Sequence, residues 1–332
     1  MESLTIFNNK AQKLTSGMGY VALPESVILD SITCLDDVGK SLPFRFLSKH
    51  NSLEIKAKEK VVVSFLFSSL SWKCNGHLYV TNKNLQFHVT GQITNTEEET
   101  LSGAVTLVTG RQNDVHLASR ERSMAKMSVD AFSQEPREAP LEDYHQYNVG
   151  DLSLAGASTA VIPLGNYSFP YAKVYLVKST QNEVSYGYRL LLDDYIPSCN
   201  LTIYKDNLYL GSTVFEEARQ GDERVVLVGQ SSQVRCRSSV VTLDEELQDT
   251  IDENTIKTYT SETITCELFN HTSEEVTILV EHPLRSRNIE EISPEPHKIE
   301  NGVARWEVKL KKKGKFEATV LYYNILHLEK QV

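Results

Sequence analysis

The chain has 332 residues, 40% of them hydrophobic and 23% charged, and a formal net charge of −10. That length exceeds what one hydrophobic core usually serves, so two or three domains are expected, and the composition excludes a disordered chain. The acidic excess argues against a nucleic-acid surface, and no stretch approaches the ~18 apolar residues that a membrane helix needs.

The N-terminal Met1-Glu2-Ser3-Leu4-Thr5-Ile6 has no basic segment followed by an apolar one. No signal peptide is expected, and the cytoplasm, or a particle assembled inside the cell, is the expected location. The sequons at Asn166, Asn200 and Asn270 are then incidental. Gly17-Met18-Gly19 is a bare Gly-x-Gly in a turn, and no phosphate-binding loop is present. Cys34, Cys74, Cys199, Cys236 and Cys266 are odd in number and contain no Cys-x-x-Cys unit. Reduced thiols in or near strands are expected, rather than a disulfide framework or a zinc site.

The dominant hydrophobic period is two, which predicts strands. Residues 61–67, Val-Val-Val-Ser-Phe-Leu-Phe, read as a strand buried on both faces. Residues 78–89 alternate on either side of a polar turn, as a strand, hairpin and strand. Further strands are expected over 103–109, 171–178, 184–192, 200–210 and 224–229. Asp206-Asn207 and Asn301-Gly302 read as tight hairpins, because Asn and Gly accept the positive φ such turns require. Residues 111–143 are charged, carry two Pro and lack alternation. They read as a mobile excursion, with a possible short helix over 115–131. The acidic run from Leu243 to Asn254 reads as a boundary between β units. From Tyr259 onward, strands are expected over 262–269, 275–282, 303–310 and 315–323. The basic run Lys309, Lys311, Lys312, Lys313 and Lys315 reads as a solvated hairpin turn.

The expected fold is all-β, built from antiparallel β-sandwich or barrel domains. A small N-terminal unit over 1–69 precedes a central sandwich or barrel over 70–240. An immunoglobulin-like sandwich over 255–332 follows.

Several segments fall in an order that resembles a known family. Leu70-Ser71-Trp72-Lys73 with Leu78-Tyr79-Val80 is followed by Gly91-Gln92-Ile93-Thr94-Asn95 and by Ala104 to Gly110. Tyr144 to Tyr147, Leu201-Thr202-Ile203-Tyr204 with Leu210-Gly211, and Cys266 to His271 with Val276 to His282 complete the series. Together they resemble the C-terminal domain of mucoidy inhibitor A-like proteins, a β-rich family of unestablished function. Leu4 to Asn8 with Leu23-Pro24 is similar to the small β unit that precedes it. The family implies a β fold and offers no catalytic residues. Bacterial relatives usually carry a secretion signal, which is not expected here, and many relatives have a helical segment before the Trp motif, where this chain has a short link.

Few motifs carry chemistry. Trp72 and Lys73 read as a core anchor beside an outward Lys, with a surface recognition spot as the other reading. Glu281 and His282 are adjacent in a strand and point to opposite faces. His271 could approach His282 across a hairpin, but no third metal ligand is identifiable. Asp193-Asp194 and Glu216-Glu217 are acid pairs of the glycosidase type, but exposed turns, marked by Pro197, Gly211 and Gly221, are the plainer explanation. Gly156-Ala157-Ser158-Thr159-Ala160 lacks the second Gly of a nucleophile elbow. No catalytic, cofactor or metal site is therefore assigned.

The strongest partner-binding candidates are Tyr167, Phe169, Tyr171, Tyr175, Tyr186 and Tyr188, since Tyr is enriched at protein interfaces. Tyr167, Phe169, Tyr171 and Tyr175 share one parity; an ordinary sandwich core is the plainer reading. The expected function is non-enzymatic: a structural or interaction protein, using protein partners or self-association, that packs into a larger assembly such as a virion. No nucleic acid or small-molecule ligand is expected. The alternative is a hydrolase acting on glycans or peptides, or a carbohydrate-binding module.

Overall fold

The structure, a computed structural model, describes residues 2–57, 59–109, 126–127, 137–141, 144–252 and 255–327. The chain begins with β1 (Ser3–Ile6), β2 (Ala11–Gly17), β3 (Gly19–Ala22), β4 (Val27–Leu35), β5 (Phe44–Leu47), β6 (Ser52–Ile55) and β7 (Val61–Phe67). A 3-10 turn, Ser48–His50, is the one helical element among the described residues. Then come β8 (Leu70–Val80), β9 (Leu85–Asn95), β10 (Leu101–Thr109), β11 (Lys126–Met127), β12 (Arg137–Leu141), β13 (Tyr144–Leu154) and β14 (Ser158–Phe169). The middle of the chain forms β15 (Tyr171–Lys178), β16 (Val184–Leu191), β17 (Cys199–Lys205), β18 (Leu208–Phe215) and β19 (Glu223–Gln230). The last strands are β20 (Val234–Asp252), β21 (Thr255–Asn270), β22 (Val276–Pro283), β23 (Ile289–Ser293), β24 (Lys298–Glu300), β25 (Val303–Leu310) and β26 (Lys313–His327).

The all-β expectation holds, and most pairings are antiparallel. Parallel pairs also occur: β1 with β10, β8 with β17, and β15 with β22. Both expected tight hairpins form where the side chains permit them. Asp206 and Asn207 sit at φ of 51° and 64°, and Asn301 and Gly302 at 52° and 75°. The strand over 61–67 differs from expectation. It buries Val61, Val63, Phe65 and Phe67 but leaves Val62, Ser64 and Leu66 exposed or half-buried, so only one face is in a core.

The chain divides into two compact units rather than three consecutive parts. The first comprises Met1–Ser168, Tyr195–Tyr209 and Val214–Ala218. Its larger sheets run β12-β13-β10-β1-β2-β7-β4 and β11-β14-β9-β8-β17-β18, with a small β3-β6-β5 sheet beside them. The expected N-terminal unit over 1–69 is not separate, because β1 pairs with β10 and shares its sheet with β13. Trp72 shows how the two larger sheets close on each other. It is 1% exposed, its indole N–H donates to the Val108 carbonyl of the facing sheet at 3.1 Å, and its ring meets Tyr147 edge-on at 6.5 Å. Lys73 points outward, as alternation requires.

The second unit comprises Phe169–Asp194, Leu210–Thr213 and Arg219–Val332. It is a sandwich of a β19-β16-β15-β22-β25-β24 sheet and a β20-β21-β26-β23 sheet. Tyr175, Val177, Ile278, Val280 and Trp306 of the first sheet pack against Cys236, Ile264, Leu268, Phe316 and Val320 of the second. Each fully buried aliphatic or aromatic side chain contributes roughly 1.5–3 kcal/mol. The sandwich expected within 255–332 therefore takes β15, β16, β19 and β20 from earlier in the chain.

The acidic run from Leu243 to Asn254 is likewise not a boundary. Through Asp252 it is the end of β20, paired with β21 in one long hairpin. The expected excursion over 111–143 and its possible helix lie outside the described residues, apart from the strands β11 and β12.

This partition makes a direct prediction. A fragment of residues 255–332 lacks four of the strands of its two sheets, three of which supply core side chains, and circular dichroism is expected to show it unfolded. A cooperative thermal transition in that fragment would contradict the partition.

Candidate functional site

The six expected contact residues do not form a solvent-facing surface. Tyr167 and Phe169 lie on β14, and Phe169 is fully buried. Cross-strand register places Tyr171 opposite Leu190, Lys173 opposite Tyr188 and Tyr175 opposite Tyr186. These side chains share the face of the sheet that turns toward the sandwich core. Tyr175 and Tyr188 are buried, and Tyr186 packs against the core cluster. Tyr171 and Tyr188 meet edge-to-face at 5.3 Å. Burial, and then the neighbouring Tyr186, Tyr171 and Tyr175, push the Tyr188 hydroxyl up to about 12. Tyr167 and Phe169 lie on a different strand and sheet from Tyr171 and Tyr175, and the alternation of β15 and β16 points Tyr175 and Tyr188 inward, where a partner cannot touch them.

The remaining expected candidates are dispersed. Glu281 and His282 do point to opposite faces: Glu281 pairs with Arg305, while His282 is 2% exposed. His271 is exposed on a turn. Among the described residues, no group of three or more His, Cys, Asp or Glu is placed to hold a metal ion. Asp193, Asp194, Glu216 and Glu217 are all exposed on irregular segments. Ser158 is buried and donates to the Ala155 carbonyl. The five thiols are free. Hydrogen bonding to Cys199, and then burial, hold the Cys74 thiol well above its ordinary range. The Cys236 thiol is raised in the same way beside Cys266. Thiols held protonated in this way are poor nucleophiles.

The structure does gather a set of buried polar groups that the sequence did not reveal. Glu262 has the same parity as Ile264, Cys266 and Leu268, so β21 carries its carboxylate into the sandwich, where it is 0% exposed. His282 occupies the inward parity of β22 after Ile278 and Val280, and Ser179 follows the end of β15. Ser179 Oγ lies 2.7 Å from His282 Nδ1, and His282 Nε2 lies 3.2 Å from Glu262 Oε2. The Nε of Arg285, itself largely exposed, lies 2.5 Å from Glu262 Oε1. The Arg285 backbone N–H donates to the Tyr322 hydroxyl at 3.3 Å. Burial, opposed by that N–H and supported by a hydrogen bond to Glu262, moves the Tyr322 hydroxyl up to about 12.

The order Ser, His, Glu is that of a hydrolytic triad, but the setting is structural. Ser179 is only 1% exposed, so no acyl group reaches its Oγ. A buried charge must be paired and hydrogen-bonded, and Glu262 has Arg285, His282 and Tyr322 for this purpose.

The solvent-facing surfaces are more informative. On the β8-β9-β17 sheet, Leu78, Val80, Phe87, Val89, Leu201 and Ile203 face the core. The opposite parity carries His77, Tyr79, His88 and Tyr204. Tyr79 and Tyr204 stack at 5.2 Å and 15°, His88 sits 5.2 Å from Tyr79, and Tyr209 lies 6.3 Å from Tyr204. Burial, and then the adjacent His88, lower the His77 pKa. Tyr209 is 63% exposed. No protein-family model matches the chain, and no curated protein is significantly similar to it.

Two outcomes follow from the buried cluster. Glu262→Ala leaves the buried His282 Nε2 without its partner and is expected to cost about 1–3 kcal/mol in urea unfolding, more than the paired Glu262→Leu/His282→Leu replacement. A loss below ~1 kcal/mol would show that the carboxylate is not the keystone of the cluster. Burial, opposed by Glu262, lowers the His282 pKa from 6.5. The unfolded chain therefore takes up this proton first as the pH falls. The stability contribution is complete above about pH 6.5 and declines as the pH drops through the folded value. Thermal midpoints at pH 7.5 and 5.5 should differ less in His282→Gln than in the wild type.

Proposed function

We propose that this protein is a non-enzymatic component that binds other proteins through its outer sheet faces and packs into a larger assembly. The observation that carries this reading is the row of His77, Tyr79, His88, Tyr204 and Tyr209 on the side of their sheet away from the core, with Tyr209 exposed and the other four half-buried. The first unit already has its core on the other side, so packing within the chain does not require aromatic rings there. Tyr supplies large contact area at small entropic cost and is frequent among interface hot spots. A virion or another large particle assembled inside the cell is the setting in which such faces would be covered. The segments that resemble the mucoidy inhibitor A-like domain fall on β8, β9, β10, β13, β17, β18, β21 and β22, which are framework strands, and they transfer no activity.

The hydrolase alternative is less well supported. Its acid pairs lie on exposed irregular segments, and the triad-like Ser179 is sealed. A carbohydrate-binding groove built on Trp is also disfavoured, because Trp72 and Trp306 are both buried. The test is sedimentation of the native protein from its source, followed by mass spectrometry of its fraction. Recovery in fixed stoichiometry with other proteins is expected. Tyr79→Ser/Tyr204→Ser is expected to leave the thermal midpoint nearly unchanged and to weaken incorporation by about 2 kcal/mol or more, as hot-spot residues do. Recovery of the wild type as a free monomer would overturn the proposal.

A further inference from the structure

The outer face of the β20-β21-β26-β23 sheet is polarised along its length. At one end, cross-strand register sets Arg235 and Lys313 on either side of Phe269, and Arg237 and Lys315 on either side of Glu267. The Lys313 ammonium lies 5.1 Å from the centre of the Phe269 ring, and the Arg237 guanidinium 5.9 Å. All four cations are exposed, with Lys315 paired to the neighbouring Glu317 of β26, so the end keeps a net positive charge. This is a local reversal of sign in a chain of net charge −10.

At the other end, Leu243, Tyr259, Ser261, Thr263, Thr319 and Leu321 floor a depression of about 630 Å³. Its rim carries Asp249, Glu290 and Glu291. A register shift between Ile289 and Glu291 turns both glutamates of β23 outward. Lys257 pairs with Glu290 at 2.6 Å, and the Tyr259 hydroxyl donates to Asp249 at 2.5 Å. Val241 and, at the edge of that depression, Leu243 are 51% and 57% exposed, an apolar strip with no cover among the described residues.

We propose that this face binds the same face of a second copy of the chain, in antiparallel two-fold register. A two-fold axis through the middle of the face reverses the strand direction. It therefore lays the basic Phe269 end of one copy on the acidic depression of the other, and the apolar strips on each other. Each charged contact is then made twice, as an isologous interface requires. A same-sense stack would instead oppose like charges at both ends.

The dimensions suit a weak pair. Phe269 and Tyr259 are ten residues apart in β21, roughly 33 Å at strand rise, and the four strands lie ~4.8 Å apart. The face then offers on the order of 600 Å² per copy, somewhat below the ~800 Å² of a standard interface. Much of the attraction is between exposed charges, so it is screened by salt. This inference names a partner for the binding role proposed above and rests on that role.

The test uses the purified full chain in sedimentation velocity across a salt series, with two charge-reversed variants, Arg237→Glu/Lys315→Glu and Glu290→Lys/Glu291→Lys. The wild type is expected to dimerise at low salt and dissociate as salt rises. Each variant alone opposes like charges, so its dimer dissociation constant should rise at least tenfold. An equimolar mixture of the two should form a heterodimer, because both contacts are then complementary again. Arg235→Glu/Lys313→Glu serves in place of the first variant if its circular dichroism shows a folding defect. A wild type that stays monomeric at low salt, variants that dimerise like the wild type, or a mixture that fails to pair would each overturn the inference. If the wild type stays monomeric here yet is recovered in a native particle, this surface fails and the assembly role stands.

Discussion

A pleated sheet has two faces, and a sandwich buries the facing side of each of its two sheets; here β15 and β22 also bury Val174, Leu176 and Leu279 on their other side. This constraint governs the molecule more than any single contact. In the first unit, Phe87, Val89, Leu201 and Ile203 satisfy it on one side of their strands and leave His88 and Tyr204 on the other. In the second, Ile264, Cys266 and Leu268 satisfy it and leave Thr263, Glu267 and Phe269 outward. What the protein offers to other molecules is therefore written on the outward parity of its strands.

The buried Glu262 cluster shows the cost of departing from that division. A carboxylate at an inward position needs compensation, and the fold supplies it from three separate strands and a loop. His282 comes from β22, Tyr322 from β26, Ser179 from the end of β15 and Arg285 from the loop after β22. The result has the residue types of a catalytic triad without the access that catalysis requires. Its effect is to tie β21 and β22, one from each sheet, by a bond whose strength depends on pH.

Local features of the fold were legible and distant ones were not. Asn301-Gly302 and Asp206-Asn207 announce their hairpins because a positive φ restricts the side chains that can sit there. The alternation of 171–178 and 184–192 gives β15 and β16 their limits almost to the residue. Alternation does not say which parity faces the core, so the same pattern fits Tyr175 and Tyr188 as a contact face and as a sandwich core, and the structure buries them. Nor does it say which strands meet. Ser179 and His282 are separated by 103 residues, and β1 pairs with β10 across eight intervening strands. The long β20–β21 hairpin was hidden for a different reason: the charge of 243–254 resembles a linker, whereas strand pairing carries it through Asp252. One signal was available and missed. In Glu262-Thr263-Ile264-Thr265-Cys266-Glu267-Leu268, Glu262 falls on the apolar parity, which marks it as a carboxylate headed for the interior.

The most direct test of action through outer sheet faces is chemical cross-linking of the protein in its native fraction, read by mass spectrometry. Lys73 and Lys83 lie near the aromatic face of the first unit, and Lys313 and Lys315 on the basic end of the second. Binding through these faces predicts that cross-links from these lysines reach other chains, including a second copy of this one. Cross-links confined to residues of the same chain, in a fraction where the protein is intact and folded, would contradict it.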